Sequence, residues 1–148
     1  DKSGQVLVDR IKDAGHHLAE KKIIKDEIDL IQEQLKKWIA SPEVDVVIAT
    51  GGTGVTGRDI TPEALEELYD KAIPGFGELF RMLSYQNIKT STLQSRCTGG
   101  VTNGTFLFAL PGSTGACKDG WDQILVHQLD STHKPCNLVE LMPRLLEK

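Results

Sequence analysis

The chain has 148 residues, 39% hydrophobic and 26% charged, with a formal charge of −4 at pH 7. That is the size and balance of one globular domain, residues 1–148, with a core of its own. The acidic balance excludes a nucleic-acid binder built on clustered Lys and Arg, and no apolar run approaches the roughly 20 residues of a membrane span.

From the amino terminus, "GQVLVDRIKDAGHHL" places Val6, Leu7, Ile11 and Ala14 near helical period and stops at Gly15, a natural residue just past a helix end. "LAEKKIIK", ending on Ile23 and Ile24, reads as a short strand. Asp26 then stands where a helix cap belongs, before an apolar face of Ile28, Ile31, Leu35 and Trp38 or Ile39. Val44–Thr50, nearly all β-branched, predicts a strand buried on both faces of a parallel sheet. Helix and strand alternate, the pattern of a doubly wound α/β fold.

Next comes "ATGGTGVTGRDITPEAL", Ala49–Leu65. Gly52, Gly54 and Gly57 spell G-x-G-x-x-G, and Gly52 to Gly57 has P-loop spacing. The P-loop is excluded, because Arg58 and Asp59 stand where its Lys and Ser/Thr would bind phosphate and magnesium. The dinucleotide fingerprint fits poorly, since its third glycine belongs inside the helix. Here the helix signals start later, at Thr61-Pro62-Glu63, with Thr61 as the cap. A third arrangement remains: a strand, then Gly51-Gly52-Thr53-Gly54 exposing consecutive amides, then a wide loop bearing Asp59, an acid suited to magnesium. The plain alternative is a tight corner with a solvated acid.

Further on, "GFGELFRMLSYQ" sets Phe76, Leu79, Phe80 and Leu83 at helical spacing, as core or subunit contact. Asn103-Gly104 between two extended runs predicts a hairpin. "TFLFAL" is a strand running into Pro111-Gly112-Ser113, followed by a helix with Ala116, Ile124, Leu125 and Leu129 inward and a last short helix broken at Pro143. Cys97, Cys117 and Cys136 are odd in number, and the four histidines lack zinc-ligand spacing. These features predict reduced thiols in a cytoplasm and no structural transition metal.

The segments "ATGGTGVTGRDITPEA", "PGFGELFRMLS", "LQSR" and "LPGS", in this order, resemble the molybdopterin-binding proteins of molybdenum cofactor synthesis. "FRMLSYQNIKTSTLQSR" and "ALPGSTGACKDGWDQILVHQLDSTHKPCN" are most similar to the MoaB branch, rather than to the MogA branch or the gephyrin amino-terminal domain. The resemblance implies a three-layer, mostly parallel α/β fold with a small hairpin, assembled as a trimer or hexamer. It implies adenylyl transfer from ATP to the terminal phosphate of molybdopterin with Mg²⁺. A non-catalytic molybdopterin carrier on the same fold is the alternative, and a nicotinamide-dependent oxidoreductase a distant third.

On that resemblance Gly51, Gly52, Thr53, Gly54 and Thr61 line the phosphate or pterin pocket, and Asp59 holds Mg²⁺ or orients ATP. Asp26 matches the acid of the family's "PDE" segment, compatibly with capping. Gly112 and Ser113 close the crevice. Arg96 either meets a phosphate or forms a surface ion pair. Family members open with a buried strand and a Ser-Asp turn, whereas this chain starts at Asp1-Lys2-Ser3-Gly4. With nothing before Asp1 the expectation is a sheet with an uncovered edge, and with a preceding segment that expectation falls away.

Overall fold

Side chains alternate across a strand, and Thr105–Leu110, buried at all six positions, uses that alternation to build two cores. Phe106, Phe108 and Leu110 point into one cluster, and Leu107 and Ala109 into the other. The computed structural model describes residues 1–148. Its elements are α1 (Lys2–Asp13), α2 (Ile28–Ala40), β1 (Val46–Thr50), α3 (Thr61–Glu66), β2 (Lys71–Ala72), α4 (Pro74–Ile88), β3 (Thr98–Thr102) and β4 (Thr105–Leu110). A helix follows from α5 (Thr114–Gly120) through a wide π turn at Trp121–Leu125 into α6 (Val126–Gln128). Short 3-10 turns lie at Lys89–Gln94 and Val139–Arg144, the latter containing Pro143.

The sheet order is β1-β4-β3-β2. Only β1 and β4 are parallel, Val46 opposite Phe106 through Thr50 opposite Leu110, and the other two pairings are antiparallel. Leu7 of α1, Phe76 and Phe80 of α4 and Cys117 of α5 cover one face together with Trp121, Ile124, Leu125 and Leu129. Ile31 and Leu35 of α2 with Ala64 and Leu65 of α3 cover the other. The α/β architecture with helices on both faces therefore holds, around a mixed sheet.

Several local expectations hold for the stated reasons. The helix α1 ends before Gly15 at φ 86°, and Thr102–Thr105 closes the hairpin with Asn103 at φ 46° and Gly104 at φ 85°, the double positive-φ turn that matches strand twist. Others are corrected. "LAEKKIIK" forms no strand, and Ile23 is 81% exposed. Side-chain ties hold this segment instead: Trp38 Nε1 donates to Glu20 at 2.8 Å and Lys21 pairs with Asp1 at 3.1 Å. No backbone ladder joins it to β1. Strand β1 starts at Val46 and is an edge, with only Val47 fully buried. A groove of ≈ 680 Å³ separates the two, walled by Leu7, Leu35, Trp38, Val46 and Ile48. Leu79 faces outward at 39% exposure, while Phe76 and Phe80 are core.

Candidate functional site

Two parallel strands ending side by side leave a crevice beyond their carboxyl ends, because their connections depart in different directions. In this molecule β1 and β4 are that pair. Gly51 donates its amide to the carbonyl of Leu110 at 2.9 Å, and Gly112 lies so close to Gly51 that a methyl on it would stand 3.3 Å from the Gly51 Cα. Thr50 Oγ1 donates to the Pro111 carbonyl at 2.9 Å and lies 3.2 Å from the buried Cys117 Sγ, whose pKa is pushed up by burial. The glycine run and Pro111-Gly112-Ser113 are thus brought together at the ends of the parallel pair.

Glycine is required here by geometry. Gly51 and Gly52 have φ of 97° and 69°, where side chains are strained, and a methyl at Gly52 would collide with Thr61 Oγ1. Thr61 donates its amide to the Gly52 carbonyl at 3.1 Å. It begins α3 without capping it, since the cap position is Ile60 and no side chain bonds there. Its side chain packs against the glycine turn. Ser113 caps α5, its Oγ accepting from the Ala116 amide at 3.1 Å.

After Thr53, which is buried, the chain makes a projecting loop whose tip, Val55–Arg58, is exposed. Gly57 lies on that tip, not against the sheet as the dinucleotide fingerprint would require. Asp59 Oδ2 accepts from Thr56 Oγ1 at 2.8 Å and from the Thr56 amide at 2.9 Å. These two bonds, the hydroxyl first, hold the Asp59 carboxyl below its ordinary range. Gly54 leaves room for this fold-back, since a methyl there would stand 2.6 Å from Asp59 Oδ2. The Gly54 amide adds to the lowering, and Oδ1 takes part in neither Thr56 bond.

Arg96 spans the base of this loop. Its Nε donates to the Gly54 carbonyl at 2.7 Å, and Nη2 to the Asp59 carbonyl at 2.7 Å and to Glu63 Oε1 at 3.1 Å. Nη1 meets Glu63 Oε2 at 2.5 Å, and the Arg96 amide donates to the Thr53 carbonyl at 2.8 Å. The pairing lowers the Glu63 pKa and raises that of Arg96. Of the two readings of Arg96, the geometry favours the ion pair. By contrast Arg58, at the loop tip, has no hydrogen bond or ion pair.

Asp26 is exposed and does not cap: α2 is preceded by Glu27, and no side chain bonds its first amides. The expected cap fails because the helix starts two residues later, at Ile28. The Asp26 carboxylate makes no ion pair, and it lines the groove that also reaches Thr50 and Thr61. The sequence reading missed Thr56 and Glu63. T-x-x-D was a usable signal for the first, since such residues bond local backbone, whereas the Glu63–Arg96 pairing crosses 33 residues and had none. No three His, Cys, Asp or Glu side chains converge as a metal cage. Magnesium needs only one or two carboxylates when phosphates supply the rest, so the Oδ1 of Asp59 is compatible with it.

No helix is long and apolar enough to cross a membrane. Residues 1–131 match the model of the probable molybdopterin binding domain. Molybdenum cofactor biosynthesis protein B of Escherichia coli is 52% identical over 137 residues, covering 93% of this chain and 81% of that protein. A crystal structure of molybdenum cofactor biosynthesis protein B superposes with a TM-score of 0.84 at 43% identity, over 86% of this chain and 80% of the other. The tungsten cofactor synthesizing protein MoaB of Pyrococcus furiosus does so with a TM-score of 0.77 at 39% identity, over 84% and 79%. By domain match, sequence and fold, the chain belongs to the molybdopterin-binding domain family that includes the molybdenum cofactor biosynthesis proteins B.

Proposed function

We propose that this protein binds molybdopterin beyond the ends of β1 and β4 and adenylylates its terminal phosphate with ATP. An oxygen of that phosphate forms a bond to the α-phosphorus of ATP, the bond from the α-phosphorus to the bridging oxygen breaks, and pyrophosphate leaves. The attacking phosphate is already ionised at neutral pH, so no base is required. The protein has to align two anions and offset their repulsion.

The observation that supports this reading is the close approach of Gly112 to Gly51 at the ends of β1 and β4, with the Asp59 carboxylate folded back against Gly54; Asp26 lines the neighbouring groove that reaches Thr50 and Thr61. Gly51, Gly52, Thr53 and Gly54 let phosphate or pterin approach the backbone, and Thr61 fixes their turn. Asp59, through Oδ1, would hold magnesium, which when bound neutralises phosphate charge, and Asp26 would face the ligand from the neighbouring groove. Arg58 is the nearby cation without a protein partner.

A second reading, molybdopterin binding without transfer, draws on the engagement of Asp59 Oδ2 by Thr56, which makes that carboxylate a loop staple. Mass spectrometry of molybdopterin incubated with ATP, Mg²⁺ and protein separates the two. For transfer, the adenylyl adduct forms with the parent, and Asp59→Asn slows it by about a hundredfold, the scale of one lost electrostatic contact. Binding without adduct supports the carrier, and near-normal turnover of the variant removes Asp59 from the chemistry.

A further inference from the structure

Arg96 lies outside the crevice's glycine turns, yet its five bonds reach three separate segments: Thr53 and Gly54, Asp59, and the first turn of α3 at Glu63. Gly54 and Asp59 are the two ends of the projecting loop, and both give their carbonyls to the same guanidinium. Inside the loop, the Asp59 amide donates to the Thr56 carbonyl at 3.0 Å, and the Asp59 carboxylate holds Thr56. The loop is therefore closed twice, within itself and across its base. Three guanidinium nitrogens are used, and the planar fork matches acceptors spread over these segments in a way a lysine ammonium does not.

We infer that Arg96, oriented by Glu63, is a positioning residue that clamps the Gly54–Asp59 loop and so sets where Asp59 and Arg58 stand, and that it does not itself contact phosphate. Glu63 supplies the charged anchor on α3, and Arg96 transmits that anchor to both loop ends. The inference rests on the molybdopterin reading for its functional consequence, but the clamp itself is visible without ligand.

The test compares Arg96→Lys, Arg96→Gln and Glu63→Gln with the parent, by backbone amide exchange of the whole chain and by molybdopterin affinity. Exchange within residues 54–59 is expected to rise about tenfold or more in Arg96→Gln, the scale of losing bonds to a charged group, while β4 amides keep their protection. Arg96→Lys and Glu63→Gln are expected to rise less, and affinity to fall in the same order as the loop loosens. Lost affinity in Arg96→Gln with parent-like loop exchange would mean direct ligand contact and overturn the inference. If Arg96→Gln loosens β4 as well, Glu63→Gln decides, since it spares both carbonyl bonds: loosening confined to the loop supports the clamp, and parent-like exchange refutes it. A parent that binds no molybdopterin sinks the proposed function, and the exchange data still judge the clamp.

Discussion

Asp59 and Asp26 show how much a carboxylate's setting decides. One is bonded twice by Thr56 and held in a closed loop, and the other is exposed and unpaired. Because the folded Asp59 titrates below its ordinary range, its contribution to loop order is present at neutral pH and is lost only as pH falls through that lowered value. Thr56→Val removes the hydroxyl, the largest cause of the shift. The variant's carboxyl is expected to titrate closer to the ordinary aspartate value, about 3.9, and its loop to loosen at higher pH than the parent's. Carbon-13 NMR of the Asp59 carboxyl against pH checks this, and coincident curves would contradict it.

At the scale of elements, β3 shows why small residues sit in a strand. A methyl on Gly99 would stand 2.8 Å from the Phe108 ring, and one on Gly100 2.5 Å from the Tyr69 ring. Rings therefore cover both faces of β3, and burial pushes the Tyr69 phenol up to about 12. Gly100→Ala is expected to destabilise the fold by about 1–3 kcal/mol through overpacking; urea unfolding with an unchanged midpoint would show that the ring moves aside freely. Much at this scale was legible. The Asn103-Gly104 turn, the β4 strand and the burial of Phe76 and Phe80, though not of Leu79, follow from local chemistry alone. "LAEKKIIK" was misread because a strand needs a neighbour as well as a composition, and the chain here lies across a groove from β1. The turn at Gly51 and Gly52 was legible because its positive φ values demand glycine. The Arg96–Glu63 clamp was hidden because its partners meet only after folding.

Over the whole molecule, the helices of both layers use their apolar faces on the sheet, but α4 and the turn after it keep others in water. Met82 is 60% exposed, Tyr85 51%, Ile88 50% and Leu93 73%, large apolar side chains of the kind that contact surfaces use. The edge at β1 has a different consequence. Asp45 gives its carbonyl to Phe106, and Gly51 its amide to Leu110. In the parallel register the groups of Val47 and Ala49 therefore also turn toward β4, while those of Val46, Ile48 and Thr50 turn outward. One five-residue strand thus carries two alternating populations of carbonyl. Carbon-13 placed singly at Val47 should vibrate at a lower amide I frequency than the same label at Ile48, so that the infrared spectrum reads out, residue by residue, which side of the strand has a neighbour.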